Sequence, residues 1–258
     1  GTDEINTLVG EAVKSEPLYN FEAEDVNKNS IRNTIWKISA TDSLVSAFAE
    51  VPAIYIADGH HRAASSSRAR AEMKSRNPNH IGEEEYNFVI AALFPAEELK
   101  ILPYNRVVKD LNDLSNDEFL AKLREKFEIS ENANPSPETS GTFSMYLNGK
   151  WFGLKPSFST PNSVIESLDV SILENFLLHP ILGIEDVRTD KRIDFIGGIR
   201  GISELEKLVD AGKWKVAFSM YATTVEQLLN VSDADEIMPP KSTWFEPKLR
   251  DGLLIHKI

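Results

Sequence analysis

Residues 53–76 read AIYIADGHHRAASSSRARAEMKSR and join a short apolar run to a long polar stretch. The first five residues are apolar and predict a short strand. From His60 to Arg76 no proline or glycine interrupts the chain, which predicts a helix. The sequence therefore predicts a buried strand that passes into a long helix through Asp58-Gly59-His60-His61-Arg62.

The junction after Asp58 has the chemistry of an anion site. The first amides of a helix have no intrahelical partner and lie at the positive end of the helix dipole, so phosphate groups bind there. Gly59 lets a ligand approach the backbone closely. His60, His61 and Arg62 add side-chain donors. These residues predict a binding site for a phosphate-bearing ligand.

The same residues also fit a plain helix start. Asp58 is a common capping residue, the two histidines are ordinary first-turn residues, and the basic residues that follow form a solvated face in most helices. Asp58 with two imidazoles is a third alternative, a metal site, but adjacent histidines rarely converge on one ion. We therefore predict no metal site and leave the anion site and the capped helix open.

The flanking sequence predicts an α/β fold, a mixed sheet flanked by helices. Helical periodicity and capping signals indicate helices at 2–16, from Thr41, from Ser115, at 169–179, from Ser203 and at 223–231. Apolar runs indicate strands at 31–39, 53–57, 86–94, 100–108 and 214–221, and a hairpin around Asn148-Gly149. Strand 31–39, the helix from Thr41 and strand 53–57 predict a parallel pairing.

Two parts are expected along the chain. Residues 1–130 form a phosphate-binding core that contains the Asp-Gly-His-His-Arg motif. Residues 131–258 form a mixed α/β remainder, which begins with the loop ENANPSPETSG at 131–141. We expect the two parts to pack as one body.

Composition excludes several classes of protein. The 258 residues carry a net charge of −12, which repels nucleic acid and anionic membranes. The absence of cysteine excludes disulfides, thiolate zinc sites, cysteine nucleophiles and iron–sulfur clusters. No apolar window has the length of a membrane span and the first residues lack a secretory signal. We therefore expect a cytoplasmic protein that binds a small molecule, not nucleic acid or membrane, and the sequence does not indicate its oligomeric state.

A second candidate segment is Met238-Pro-Pro-Lys-Ser-Thr-Trp-Phe-Glu-Pro-Lys248. Its prolines stiffen the chain, and Lys241, Ser242 and Thr243 offer one charge and two hydroxyl donors to an anion. Glu246 and Lys248 can complete a charge network. The alternative is a rigid loop that tucks its aromatic residues into the core.

Several segments together resemble the DUF1015 family of bacterial and archaeal proteins. They are IYIADGHHR, IRNTIWKIS, YNFVIAALF, ILPYNRVV, LDVSILENFLLHPILGI and IMPPKSTWFEPKLRDGLLIH. The Asp-Gly-His-His-Arg element is similar to the nucleotide-phosphate motif of the ParB/sulfiredoxin-like superfamily, which includes free L-serine kinases. The resemblance implies a ParB/sulfiredoxin-like core with family-specific additions.

The resemblance implies a nucleotide-dependent phosphotransferase that makes O-phosphoserine from free L-serine, with ATP or ADP and Mg²⁺. It places Gly59, His60, His61, Arg62, Ser242 and Thr243 at the nucleotide, and Asp58, His60, His61 and Lys241 in catalysis. The general base is expected to be a carboxylate outside the motif. The alternative is a non-catalytic, nucleotide-binding regulatory or scaffold protein.

This sequence departs from the family pattern in two places. Ala63 stands where relatives carry an aromatic residue, so the resemblance does not extend to the shape of the base or sugar pocket. The Pro-Pro-Tyr-Asp-Val element of the family's N-terminal half does not occur, and the chain starts at Gly1 instead of Met. We therefore expect the chain to be the C-terminal portion of a longer protein.

Overall fold

The chain divides into two units, and the second interrupts the sequence of the first. In the computed structural model, which describes residues 2–25, 28–39, 41–250 and 252–258, the first unit is Gly1–Leu99 with Lys248–Ile258 and the second is Lys100–Pro247. The protein is a mixed α/β protein with sheets flanked by helices, as the sequence predicts. The expected division at residue 131 falls inside a sheet of the second unit.

The first unit contains three α-helices and a hairpin among its described residues. They are α1 (Asp3–Ala12), β1 (Tyr19–Glu24), β2 (Ser30–Ile35), α2 (Thr41–Ala49) and α3 (His60–Arg76). Thr2 caps α1 because its hydroxyl accepts the Ile5 N–H at 3.3 Å. Strand β2 pairs antiparallel with β1, so the expected parallel pairing with residues 53–57 is wrong.

Residues 53–57 and 86–94 are not strands, which corrects two predictions. Both stretches lack strand pairing in the described part of the chain, and their side chains are largely exposed: Ile54 is 63%, Phe88 56% and Val89 60% exposed. An apolar run indicates burial, but a strand forms only where a neighbour supplies its backbone hydrogen bonds. The sequence pattern carries no information about that neighbour.

The second unit is built on a six-stranded antiparallel sheet in the order β5-β7-β6-β9-β4-β8. In chain order its elements are β3 (Lys100–Leu102), β4 (Tyr104–Val108), α4 (Asn116–Arg124), β5 (Phe127–Glu131), β6 (Phe143–Leu147), β7 (Lys150–Pro156), α5 (Asp169–Leu173), β8 (Ile193–Gly197), α6 (Ile202–Asp210), β9 (Val216–Met220), α7 (Val225–Asp233) and β10 (Trp244–Glu246). Strand β10 pairs with β3 in a separate two-stranded sheet.

The six-stranded sheet is covered on both faces. Every residue of β9 is buried; Val216, Phe218 and Met220 belong to one apolar cluster, and Ala217 belongs to a second cluster on the other face. Phe218 packs with α4 and α5 residues such as Phe119 and Leu173. Ala217 packs with α6 residues such as Leu205. This double coverage explains why the strand reads as a continuous apolar run in the sequence.

Local signals in the second unit are mostly confirmed. Ser115 and Glu118 form the predicted capping box of α4. Asn148 and Gly149 have φ angles of 50° and 77° and form the turn between β6 and β7. Helix α6 instead begins at Ile202 after Gly201, so the cap predicted at Ser203 is not used. Across the described residues, no helix combines the length and the apolar composition needed to cross a bilayer.

Asp169 ties the loop before β6 to the start of α5. It is 8% exposed, and its Oδ1 accepts the Gly141 N–H at 2.8 Å and the Ser140 hydroxyl at 3.0 Å. Burial raises the pKa of Asp169, while the two hydrogen bonds oppose that rise. The carboxylate therefore stabilises the loop by accepting hydrogen bonds and opposes folding by its buried charge.

Substitutions at Asp169 should separate these two effects. We expect Asp169→Ala to lower the free energy of unfolding by about 1–3 kcal/mol, because the Gly141 N–H loses its acceptor. Asp169→Asn keeps an acceptor and removes the buried charge, so it should be neutral or stabilising at pH 7. Since the raised pKa costs stability as the pH rises through it, the advantage of Asp169→Asn should shrink at pH 3. Urea unfolding at both pH values measures this, and equal losses for both variants would contradict it.

Candidate functional site

The start of α3 is shaped by a glycine in the left-handed region. Gly59 is the N-cap residue, with φ 89° and ψ 25°. The first intrahelical bond runs from the Ala63 N–H to the Gly59 carbonyl at 2.9 Å. The amides of His60, His61 and Arg62 therefore precede that bond and point out of the helix end. No acidic side chain occupies the first turn, so the positive end of the dipole is unopposed there.

The side chains of this turn are available to a ligand. His60, His61 and Arg62 are exposed, and among the described residues none of the three side chains has a hydrogen-bond or ion-pair partner. The Arg62 guanidinium folds back over Gly59, because a Cβ built on Gly59 would lie 2.9 Å from Arg62 Nη2. The cationic group and the free amides thus lie on the same turn.

Asp58 fixes the other side of the turn. Its Oδ1 accepts the Gly59 N–H at 2.8 Å and its Oδ2 accepts from the Lys248 ammonium at 2.8 Å. The hydrogen bond from Lys248 lowers the pKa of Asp58, burial opposes this, and the Gly59 N–H adds to the lowering. Both side chains of the ion pair are about half exposed, so it contributes modestly to stability. Its main effect is to orient the carboxylate.

The far end of α3 is anchored by a carboxylate. Glu84 accepts the N–H groups of Ile81 and Gly82 at 2.7 and 3.0 Å and the Asn87 amide at 2.9 Å. Asn87 in turn accepts from Arg70 Nε of the helix at 3.0 Å. Burial would raise the pKa of Glu84, but the backbone N–H groups lower it to about 2. No residue of α3 is buried, so these polar contacts hold the helix in place.

The remaining predicted site residues lie in the second unit. Lys241 is exposed, its backbone has φ 56°, and its ammonium lies 5.3 Å from the centre of the Tyr104 ring. Ser242 is 4% exposed and its hydroxyl donates to the Pro239 carbonyl at 2.6 Å. Thr243 is partly buried. Contact of these residues with a nucleotide stays a prediction.

Sequence reasoning missed the roles of two residues. Lys248 was expected only in a charge network, and the structure gives it Asp58 of the motif as a partner. Arg106 was not singled out, yet it is 4% exposed and donates to the carbonyls of Tyr104 and Lys241. A charged residue inside the apolar strand Tyr104–Val108 is the signal that could have identified Arg106.

The α3 start can hold an anion but offers little to a metal ion alone. Within the described ranges, no group of three or more histidine, aspartate or glutamate side chains could hold a metal. Both oxygens of Asp58 are already engaged. Three free amides, two imidazoles and a guanidinium are instead the donors that phosphate oxygens accept from.

Two glycine variants should test whether the turn binds phosphate. Gly59 and Gly82 have φ angles of 89° and 96°, but a Cβ on Gly82 would meet no atom within 4 Å. Alanine at either position should cost roughly 1–2 kcal/mol of stability, because both adopt left-handed backbone. Only Gly59→Ala should also weaken pyrophosphate binding, because it displaces Arg62. Thermal unfolding and calorimetric titration measure both effects, and equal pyrophosphate affinities would show that the turn is not the site.

Comparison with solved structures finds chains of low sequence identity. A free serine kinase in complex with AMP is 15% identical, with 93% of this chain and 77% of that chain covered and a TM-score of 0.37. A free serine kinase variant in complex with ADP is 17% identical, with the same coverage and a TM-score of 0.36. A conserved hypothetical protein from Pyrococcus furiosus is 15% identical, with 94% and 81% covered and a TM-score of 0.39.

Comparison at the level of sequence identifies the family. No curated protein matches the chain significantly. The family model described as protein of unknown function, DUF1015, matches residues 1–171, about two thirds of the chain. That range includes the Asp-Gly-His-His-Arg motif, the start of α3 and most of the six-stranded sheet. The chain therefore belongs to the DUF1015 family.

Proposed function

We propose that the protein is a nucleotide-dependent phosphotransferase that phosphorylates a small hydroxylated metabolite, free L-serine. The observation that carries the proposal is the start of α3, where Gly59 in left-handed conformation leaves three amides unbonded beneath a free guanidinium. This arrangement is suited to phosphate oxygens. L-Serine is proposed as the phosphoryl acceptor because the motif resembles that of the free serine kinases.

In this proposal the chain acts by positioning and by neutralising charge. The amides and side chains of His60, His61 and Arg62 hold the phosphates of ATP or ADP, and Asp58 orients the turn. Mg²⁺ would accompany the nucleotide phosphates, since it commonly keeps several waters and few protein ligands. Phosphoryl transfer needs little covalent help from a protein, so such a site can supply much of the rate.

Phosphate transfer to serine tests the proposal directly. The chain is incubated with Mg²⁺, L-serine and either ATP or ADP, and O-phosphoserine is measured by mass spectrometry. L-Alanine is the matched control acceptor because it lacks only the hydroxyl. Product from L-serine alone supports the proposal. Nucleotide binding without product would favour the regulatory or scaffold alternative, and absence of binding would overturn the site itself.

Arg62 should contribute to nucleotide affinity. We expect Arg62→Ala to weaken ADP binding roughly 10- to 150-fold, which corresponds to loss of one charge-assisted hydrogen bond. Arg68→Ala is the matched control, because Arg68 lies on the same helix and contacts Ser65 at 3.0 Å. Calorimetric titration gives both affinities. An unchanged affinity with a lowered melting temperature would make Arg62 a structural residue.

A further inference from the structure

A cavity of about 260 Å³ lies beside Lys241 within the second unit. Part of its lining is apolar and comes from Val187, Ile193, Phe195 and Pro240. Val187 and Ile193 are each only 6% exposed and belong to the core, so this part of the wall is fixed. The cavity has room for a small metabolite and an apolar surface for part of it.

Four charged residues complete the lining, and two of them are already paired. Arg188 donates from Nε and Nη2 to the two carboxylate oxygens of Asp186, each at 2.9 Å. Asp190 accepts from Arg192 Nη2 at 2.9 Å. Because each of these charges already has an ion-pair partner, Arg188 and Asp190 contribute to the shape of the cavity more than to its charge.

The other two charges, Lys241 and Asp194, remain unpaired. In the described part of the chain no carboxylate lies within 4.0 Å of the Lys241 ammonium, and no cationic side chain lies that close to Asp194. Asp194 Oδ1 accepts the Phe195 N–H at 2.8 Å, and among the described residues no group donates a hydrogen bond to its second oxygen. One free cation and one free anion therefore border the same cavity.

The backbone at both charges is held in place. Lys241 adopts φ 56°, and its carbonyl accepts from the buried Arg106 at 3.2 Å. The next residue, Ser242, accepts on its carbonyl from the Thr223 hydroxyl at 3.1 Å. Asp194 lies on β8, opposite Val107 of β4. The backbone that carries both charges is thus ordered before a ligand binds. Less conformational entropy is therefore lost on binding.

We propose that this cavity binds a free α-amino acid with an aliphatic side chain. Lys241 receives the α-carboxylate, Asp194 receives the α-ammonium, and the side chain lies on the apolar lining. A dianion would be repelled by Asp194 and a simple cation by Lys241, so a zwitterion matches the two charges best. A side-chain hydroxyl against the apolar lining would lose its hydrogen bonds with water, which favours an aliphatic side chain over that of serine.

This site goes beyond the proposed phosphotransfer and does not depend on it. Lys241 carries three donors and can contact a carboxylate as well as a phosphate. Binding of an aliphatic amino acid needs no nucleotide and offers no hydroxyl to phosphorylate. Binding measured in the absence of nucleotide therefore succeeds or fails separately from the transfer assay.

Four ligands test the proposal on the unaltered chain. L-Leucine carries both charges, N-acetyl-L-leucine lacks the ammonium, L-leucinamide lacks the carboxylate, and L-serine lacks the aliphatic side chain. Calorimetric titration should show L-leucine binding roughly tenfold more tightly than each of the others. Equal affinity for L-leucine and either charge-deficient analogue would overturn the zwitterion site. Tighter binding of L-serine would overturn the aliphatic preference.

Variants of the two charged residues then test which residue binds the ammonium and which binds the carboxylate. Asp194→Asn should abolish the preference for L-leucine over N-acetyl-L-leucine, and Lys241→Met should abolish the preference over L-leucinamide. Glu128→Gln and Lys213→Met change exposed charges elsewhere in the unit and should leave both preferences intact. Preferences that survive in Asp194→Asn and Lys241→Met would place the binding site elsewhere. The ligand series on the unaltered chain remains decisive if a variant fails to fold.

Discussion

One buried positive charge, that of Arg106, ties the chain around Lys241 to the sheet of the second unit. Arg106 lies on β4, which pairs with β9 and with the edge strand β8; it is 4% exposed and faces the Phe195 ring at 5.4 Å. Burial lowers the pKa of Arg106 to about 10, with Glu174 opposing the shift. Its hydrogen bonds to the carbonyls of Tyr104 and Lys241 offset part of the cost of burying the charge. The chain around Lys241 is thereby fixed to the core.

The segment that follows Lys241 is fixed by close aromatic packing. A Cβ on Gly197 would lie 2.6 Å from the Trp244 ring, so only glycine lets the indole approach β8 this closely. Trp244 also meets Tyr104 edge to face, with 5.4 Å between ring centres, and Phe245 is 5% exposed. Phe245 is therefore buried, as the rigid-loop alternative expects, but both aromatic residues lie on strand β10 and Trp244 is only half-buried. A rigid support and an exposed Lys241 are compatible, since a binding group is more effective on an ordered backbone.

The sequence predicted what local chemistry determines. The capping box at Ser115, the Asn148-Gly149 turn and the span of α3 depend on neighbouring residues and are confirmed. Contacts between residues far apart in the sequence could not be predicted. Arg106 donates to the carbonyl of Lys241, 135 residues further on, and Lys248 donates to Asp58, 190 residues before it. The strands predicted at 53–57 and 86–94 do not form, and the prediction was wrong for the same reason: an apolar run does not specify a pairing partner. The sequence thus predicted the helix that follows the motif, but not the partners that orient the motif's side chains.

The pairing of Asp58 with Lys248 makes the motif more than a local turn. Lys248 is the first residue of the first unit after the chain has completed the second. Gly59 sets the backbone of the turn by its own conformation, but the Asp58 carboxylate is oriented by a residue that follows the whole inserted unit. The hydrogen bonding of Asp58 is therefore completed only when the returning chain is in place. Lys248 and the Gly59 amide contact the same carboxylate, so ordering of the chain after Pro247 influences the conformation of the turn at Gly59.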